Sequence, residues 1–130
     1  MDKYSIFYKR NRALDAAYKR IIKASKGVAK HITRKTIIAL IQEQPAPRFY
    51  ITAETARLYI KNYCKPNGNS IKQAMIADLL ENYNRLKQEN PAAPKEWLYE
   101  VVVEQPAKSF YMSAKRIEEI IFYRLDKKGR

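Results

Sequence analysis

Apolar residues recur along most of the chain at spacings of three and four, the period of a helix with one face turned to a core. Ile37, Leu40 and Ile41 follow this spacing, and Leu98, Val101 and Val102 repeat it 61 positions later. Ala56, Tyr59, Ile60 and Cys64 occupy i, i+3, i+4 and i+8, as do Ile117, Ile120, Ile121 and Leu125. Leu14, Tyr18 and Ile21 are matched in the same way by Leu79, Tyr83 and Leu86. The pattern predicts a first helix over residues 8–26, stopped by Gly27 at a left-handed C-terminal cap, and its equivalent over residues 71–89. Second helices are expected at 33–43 and 94–104, the latter with Pro94 in its first turn. A third helix follows Thr52 in one half and Ser113 in the other.

The connection before each third helix carries the strongest local signal. The run EQPAPRFYITA at residues 43–53 returns as EQPAKSFYMSA at residues 104–114, identical at seven of eleven positions. Pro45 and Pro106 turn the preceding residue away from helical geometry, so the second helix stops there and the chain runs extended. Alternation along Phe49-Tyr50-Ile51 and Phe110-Tyr111-Met112 puts the first and third side chains on the core side and the tyrosines on the other. Thr52 and Ser113 stand where a hydroxyl caps the next helix, and Glu54 adds a negative charge to its first turn. The fold class read from this is all-α, as two tandem three-helix units of helix, helix, extended connection and helix. Unit one is residues 1–65 and unit two residues 66–130. Pro66-Asn67-Gly68-Asn69-Ser70 is a dense turn cluster at their boundary, with Ser70 as a candidate cap. Each unit is near the lower size limit for independent folding, so a single pseudo-symmetric domain with a shared core is expected.

Composition limits what such a fold can do. With 46% hydrophobic residues and only three glycines, the chain is built to fold rather than to remain disordered. No apolar run reaches the roughly 18 residues of a membrane span, and the N-terminus lacks the apolar stretch of a signal peptide, so a cytoplasmic protein without a membrane partner is expected. Cys64 is the only cysteine and is read as a core filler. His31, the only histidine, has no ligand partner at metal-binding spacing and is read as solvent-facing or capping. Gly27, Gly68 and Gly129 are too far apart for a phosphate-cradling loop. Glu118 with Glu119, and Glu43 with Glu104, are neighbours or repeat mates and read as surface charge. No catalytic residue, metal site or cofactor is expected, and the chain is read as a non-enzyme.

Charge is the remaining signal. The net charge is +13, and residues 1–65 carry 15 Lys and Arg against 4 Asp and Glu, whereas residues 66–130 carry 11 against 9. An excess confined to one half points to a polyanion met by that half. The candidate nucleic-acid-binding residues are Lys9, Arg10, Arg12, Lys19, Arg20, Lys23 and Lys26 along the first helix, and Lys30, Arg34 and Lys35 at the start of the second. The last three oppose the helix dipole, an arrangement that a bound anion would relieve. Contacts of this kind reach phosphates rather than bases, so binding would be salt-dependent and largely independent of sequence. Tyr50 and Tyr111 recur in both units and are read first as packing between them, with base stacking as the alternative. The spacing argues against a helix-turn-helix, because about eight residues, not three or four, separate the second and third helices.

The run from Gln44 to Thr52, followed by a helix, resembles a pattern in small, uncharacterised basic proteins of bacterial phages and mobile elements. The resemblance covers about a dozen residues per unit, and Lys108 and Ser109 replace Pro47 and Arg48 in the second copy. It implies a bacterial or phage-infected cell, or a virion, and brings no activity with it. The leading expectation is a non-enzymatic protein that binds DNA or RNA through its basic N-terminal face. The alternative is a structural or interaction protein, for example of phage assembly. There a protein partner or second copy would meet a contiguous exposed patch of Tyr50, Tyr111 and Trp97.

Overall fold

The computed structural model describes residues 3–25, 32–62 and 70–124. Within them the chain is all-α and contains no strands. The helices are α1 (Lys3–Ala24), α2 (Arg34–Gln42), α3 (Ala53–Lys61), α4 (Ser70–Glu89), α5 (Lys95–Val102) and α6 (Ala114–Glu118). The last runs on into a π-helical segment, Glu119–Arg124. α1 starts five residues before the expected position because the apolar stripe begins at Ile6, which is buried two turns before Leu14. The Gly27 cap, His31, Cys64, Leu125 and the turn cluster at 66–69 lie outside the described residues. Ser70 is already the first residue of α4 rather than its cap.

The predicted caps form where the sequence places hydroxyls. Thr52 Oγ1 accepts the Thr55 amide at 3.0 Å, and Ser113 Oγ accepts the Arg116 amide at 3.2 Å. Thr33 does the same for Thr36 at 3.2 Å. Pro94 precedes α5 as its N-cap residue and supplies no side-chain bond. Glu54, in the first turn of α3, is held below the usual carboxylate range, chiefly by its hydrogen bonds with Arg57.

The stripes become one hydrophobic cluster drawing on both halves of the chain. Equivalent positions are buried together: Ile37 with Leu98, Ile38 with Tyr99, Ile41 with Val102, Ala46 with Ala107, Phe49 with Phe110, and Ala56 with Ile117. How the helices meet is less obvious from the pattern. α1 packs on α2 and α4 on α5, but the third helix of each repeat crosses to the other repeat. α3 packs on α4 and α5, while α6 packs on α2 and its π-helical extension on α1. The second and third helices of one repeat are therefore not arranged as a helix-turn-helix pair.

The two EQPA connections make this crossing possible. Where they pass, the Ala46 amide donates to the Ala107 carbonyl at 2.9 Å and the Ala107 amide to the Ala46 carbonyl at 3.0 Å. Small side chains let the backbones approach this closely. Beyond that point the aromatic pairs interlock, with Phe49 parallel to Tyr111 at 6.4 Å and Tyr50 parallel to Phe110 at 6.2 Å between ring centroids.

The copies part company after the crossing. The Phe49 amide donates to the Val103 carbonyl at 2.9 Å. At the position equivalent to Val103, the Gln42 carbonyl instead accepts from the Ser109 hydroxyl at 3.2 Å. Tyr111 then adopts φ 56°, a left-handed conformation unusual for a bulky residue, and the expected in-and-out alternation does not hold in either copy: Phe49 and Phe110 are buried, while Tyr50, Ile51, Tyr111 and Met112 are all half-buried against the core. Its amide donates to Ser109 Oγ at 3.0 Å and its hydroxyl to Asp78 Oδ2 at 2.7 Å. Asp78 is only 2% exposed. Its carboxylate also accepts the Lys108 amide at 2.9 Å and Asn82 Nδ2 at 3.0 Å, so the buried charge is fully engaged.

Candidate nucleic-acid interface

The basic residues of α1 separate into two groups once the helix is built. Lys9, Arg12, Lys19, Arg20 and Lys23 are all exposed and, at steps of three, seven, one and three residues, fall on the side of the helix away from Leu14, Ala17 and Ile21. From Lys9 to Lys23 the stripe is ~21 Å long at the helical rise per residue. Asp15 is the acidic residue beside it and pairs with Lys19 at 3.0 Å. Tyr8, 61% exposed, joins the stripe: Arg12 Nη1 donates to its hydroxyl at 3.0 Å, with the guanidinium 5.6 Å from the ring centroid. Tyr8 was not among the expected residues, although its position four before Arg12 marks it as a neighbour on the same helix face.

Arg10 does not lie on this stripe. It falls one turn before Leu14 on the core side, is half-buried, and stands over the Phe7 ring at 4.9 Å with its Nε donating to Asn11 Oδ1 at 3.1 Å. Arg34 and Lys35 are exposed at the start of α2. Arg34 is held over the rings of Phe122 at 4.7 Å and Tyr123 at 5.7 Å, and Phe122 meets Tyr18 of α1 edge-on at 5.7 Å. Lys26 and Lys30 fall outside the described residues.

Arg10 instead lines a cavity of about 130 Å3 at the junction of the two connections. Arg48 faces it from the first connection. Its Nε donates to the Phe49 carbonyl at 2.9 Å and its Nη2 to the Ile51 carbonyl at 3.3 Å, and the guanidinium lies 5.9 Å from the Tyr50 ring centroid. Burial pushes the Tyr50 hydroxyl above the usual tyrosine range, against the opposing pull of Arg48. A second depression of about 300 Å3 shares Tyr50 and Ile51 with the first, and is completed by Ile6, Phe7, Thr52 and Thr55. Phe7 is 44% exposed there. Arg48 was not among the expected binding residues; its appearance in only one copy of an otherwise repeated run was the available signal.

Of the three aromatics that would mark a protein-binding patch, only Trp97 is exposed. Tyr50 and Tyr111 are half-buried against the core. Among the described residues no group of three His, Cys, Asp or Glu side chains is placed to hold a metal, and no helix is long and apolar enough to cross a membrane. No family model, curated protein or solved structure matches this chain.

Proposed function

We propose that this protein is a non-enzymatic nucleic-acid-binding protein that grips the phosphate backbone through the outer face of α1, largely without regard to sequence. The observation that carries this reading is the exposed stripe of Lys9, Arg12, Lys19, Arg20 and Lys23, along which Asp15 pairs with Lys19. Exposed cations in a row along a helix repel one another, and a polyphosphate backbone supplies many anions at once while releasing its condensed counterions.

The test is to replace Lys9, Arg12, Arg20 and Lys23 with Gln and to measure DNA and RNA binding across a salt series. Four lost phosphate contacts should lower the slope of log K against log salt by ~3.6 on duplex DNA. Retention at ~0.1 M salt should be lost while the helical circular dichroism is kept. Unchanged binding by the folded variant would exclude this face. The competing reading, a structural protein whose basic face meets an acidic partner surface, loses its expected aromatic patch now that Tyr50 and Tyr111 are half-buried.

A further inference from the structure

The cavity at the crossing is lined by equivalent residues of the two repeats in pairs. At the offset of 65 that relates α1 to α4, Arg10 is the counterpart of Met75; at the offset of 61 that relates the connections, Arg48 is the counterpart of Ser109. The Phe-Tyr pairs of both copies complete it. The shape of the cavity thus belongs to the repeat, but its charge does not, since both arginines come from the first copy and an apolar and a neutral residue take their places in the second. Among the described residues no carboxylate lines it. Asp78, beyond Tyr111, is engaged by the Tyr111 hydroxyl, the Lys108 amide and Asn82.

Size restricts what can enter. Ligand pockets for whole small molecules run to roughly 300–1,000 Å3, whereas an apolar cavity of about 150 Å3 takes a single benzene ring. About 130 Å3 therefore suits one group protruding from a larger ligand. Two guanidinium charges select an oxyanion, and Arg48, whose Nε and Nη2 already donate to the Phe49 and Ile51 carbonyls, can offer its Nη1 to a phosphate oxygen. Arg48 is oriented in advance by its two bonds to backbone carbonyls, so little side-chain freedom is lost on binding. The neighbouring depression shares the Tyr50-Ile51 wall and has the exposed Phe7 ring at its edge, which suits a flat aromatic group attached one linkage from the phosphate. A duplex keeps its bases stacked and cannot offer one there. A single strand can.

We infer that the crossing is a binding site for one nucleotide of a single strand, with the phosphate between Arg10 and Arg48 and the base in the depression beside Phe7 and Tyr50. This rests on the nucleic-acid reading and adds a preference for single strands that the α1 stripe alone would not produce. The experiment measures fluorescence anisotropy at fixed salt with a labelled 12-nucleotide thymidine strand and a 12-base-pair duplex. The proteins compared are the wild type, Phe7→Ala, Arg48→Ser and the α1 stripe variant. The serine is the residue that the second repeat already uses at the equivalent position, and Phe7 is partly exposed, so both variants should fold.

The wild type should favour the single strand. Phe7→Ala should weaken strand binding by about 5- to 150-fold, the range for one lost base stack, and Arg48→Ser by about 10- to 150-fold, the range for a lost hydrogen bond to a charged group, each with less than about a 3-fold change on the duplex. Equal affinity of the wild type for strand and duplex overturns the inference, as does an equal loss on both from either variant, or thymidine monophosphate competing as well as the strand does. Loss of both ligands by the stripe variant supports the broader reading independently. Full retention of both by that variant overturns the broader reading and leaves the two outcomes distinguishable.

Discussion

At the residue scale the sharpest feature is the pairing of Tyr111 with Asp78. A bulky residue at φ 56° costs roughly 1–2 kcal/mol of backbone strain. A carboxyl group that is 2% exposed needs hydrogen-bond partners in place of water. Each provides for the other, because the left-handed turn brings the Tyr111 hydroxyl to Asp78. Tyr111→Phe should therefore destabilise the protein by about 1.5–3 kcal/mol, the value of a hydrogen bond to a charged group, read as a lower urea midpoint at neutral pH. The pair also sets an alkaline dependence. Burial first, then the hydrogen bond and negative charge of Asp78, raise the Tyr111 hydroxyl well above the tyrosine range, so the folded state holds this proton after the unfolded chain has released it. Stability is complete below about pH 10 and falls as pH rises beyond it, and Tyr111→Phe should flatten that fall in urea titrations above about pH 9. None of this was legible in the helical pattern, because two of the three partners of Asp78, Lys108 and Tyr111, come from 30 and 33 residues along the chain. The accessible clue was the comparison of copies, where Asp78 stands opposite Ala13.

At the element scale the sequence was readable wherever structure is decided locally. Hydroxyls before α2, α3 and α6 cap them, prolines end α2 and α5 one turn on, and the stripes pack on the core, with Tyr18, Leu40, Tyr59, Ile60 and Val101 only half-buried there. Thr52→Ala and Ser113→Ala should each cost about 0.5–2 kcal/mol, checked by thermal or urea unfolding, and their double variant should lose the sum because the two caps share no partner. What escaped were features imposed by neighbours. The π-helical segment Glu119–Arg124 keeps Ile120 and Ile121 buried while presenting Phe122 to both Tyr18 and Arg34. A period of three and four on paper cannot distinguish that from a plain α-helix. Arg10 was assigned to the outer face with its basic neighbours for a similar reason: charge suggested the surface, but its register with Leu14 turned it towards the crossing.

At the scale of the whole molecule, an internal repeat hides its own packing. Two equivalent third helices have the same stripe, so nothing in the pattern says whether each rests on its own repeat or on the other one. The structure has α3 on α4 and α5, and α6 with its extension on α1 and α2. Cutting the chain between Asn62 and Ser70, at an introduced protease site, should therefore leave two fragments that co-elute in size-exclusion chromatography and part only in denaturant. Fragments that separate in buffer would contradict the crossed arrangement. The crossing also governs the order in which the molecule can be assembled as it is made. During synthesis α3 leaves the ribosome before either helix it packs on exists, and the Ala46–Ala107 pair cannot close until residue 107 has been added. The first half must wait, its α3 stripe uncovered, for the second, so folding is postponed to a late, long-range event, and the nascent chain is most vulnerable to aggregation while half finished.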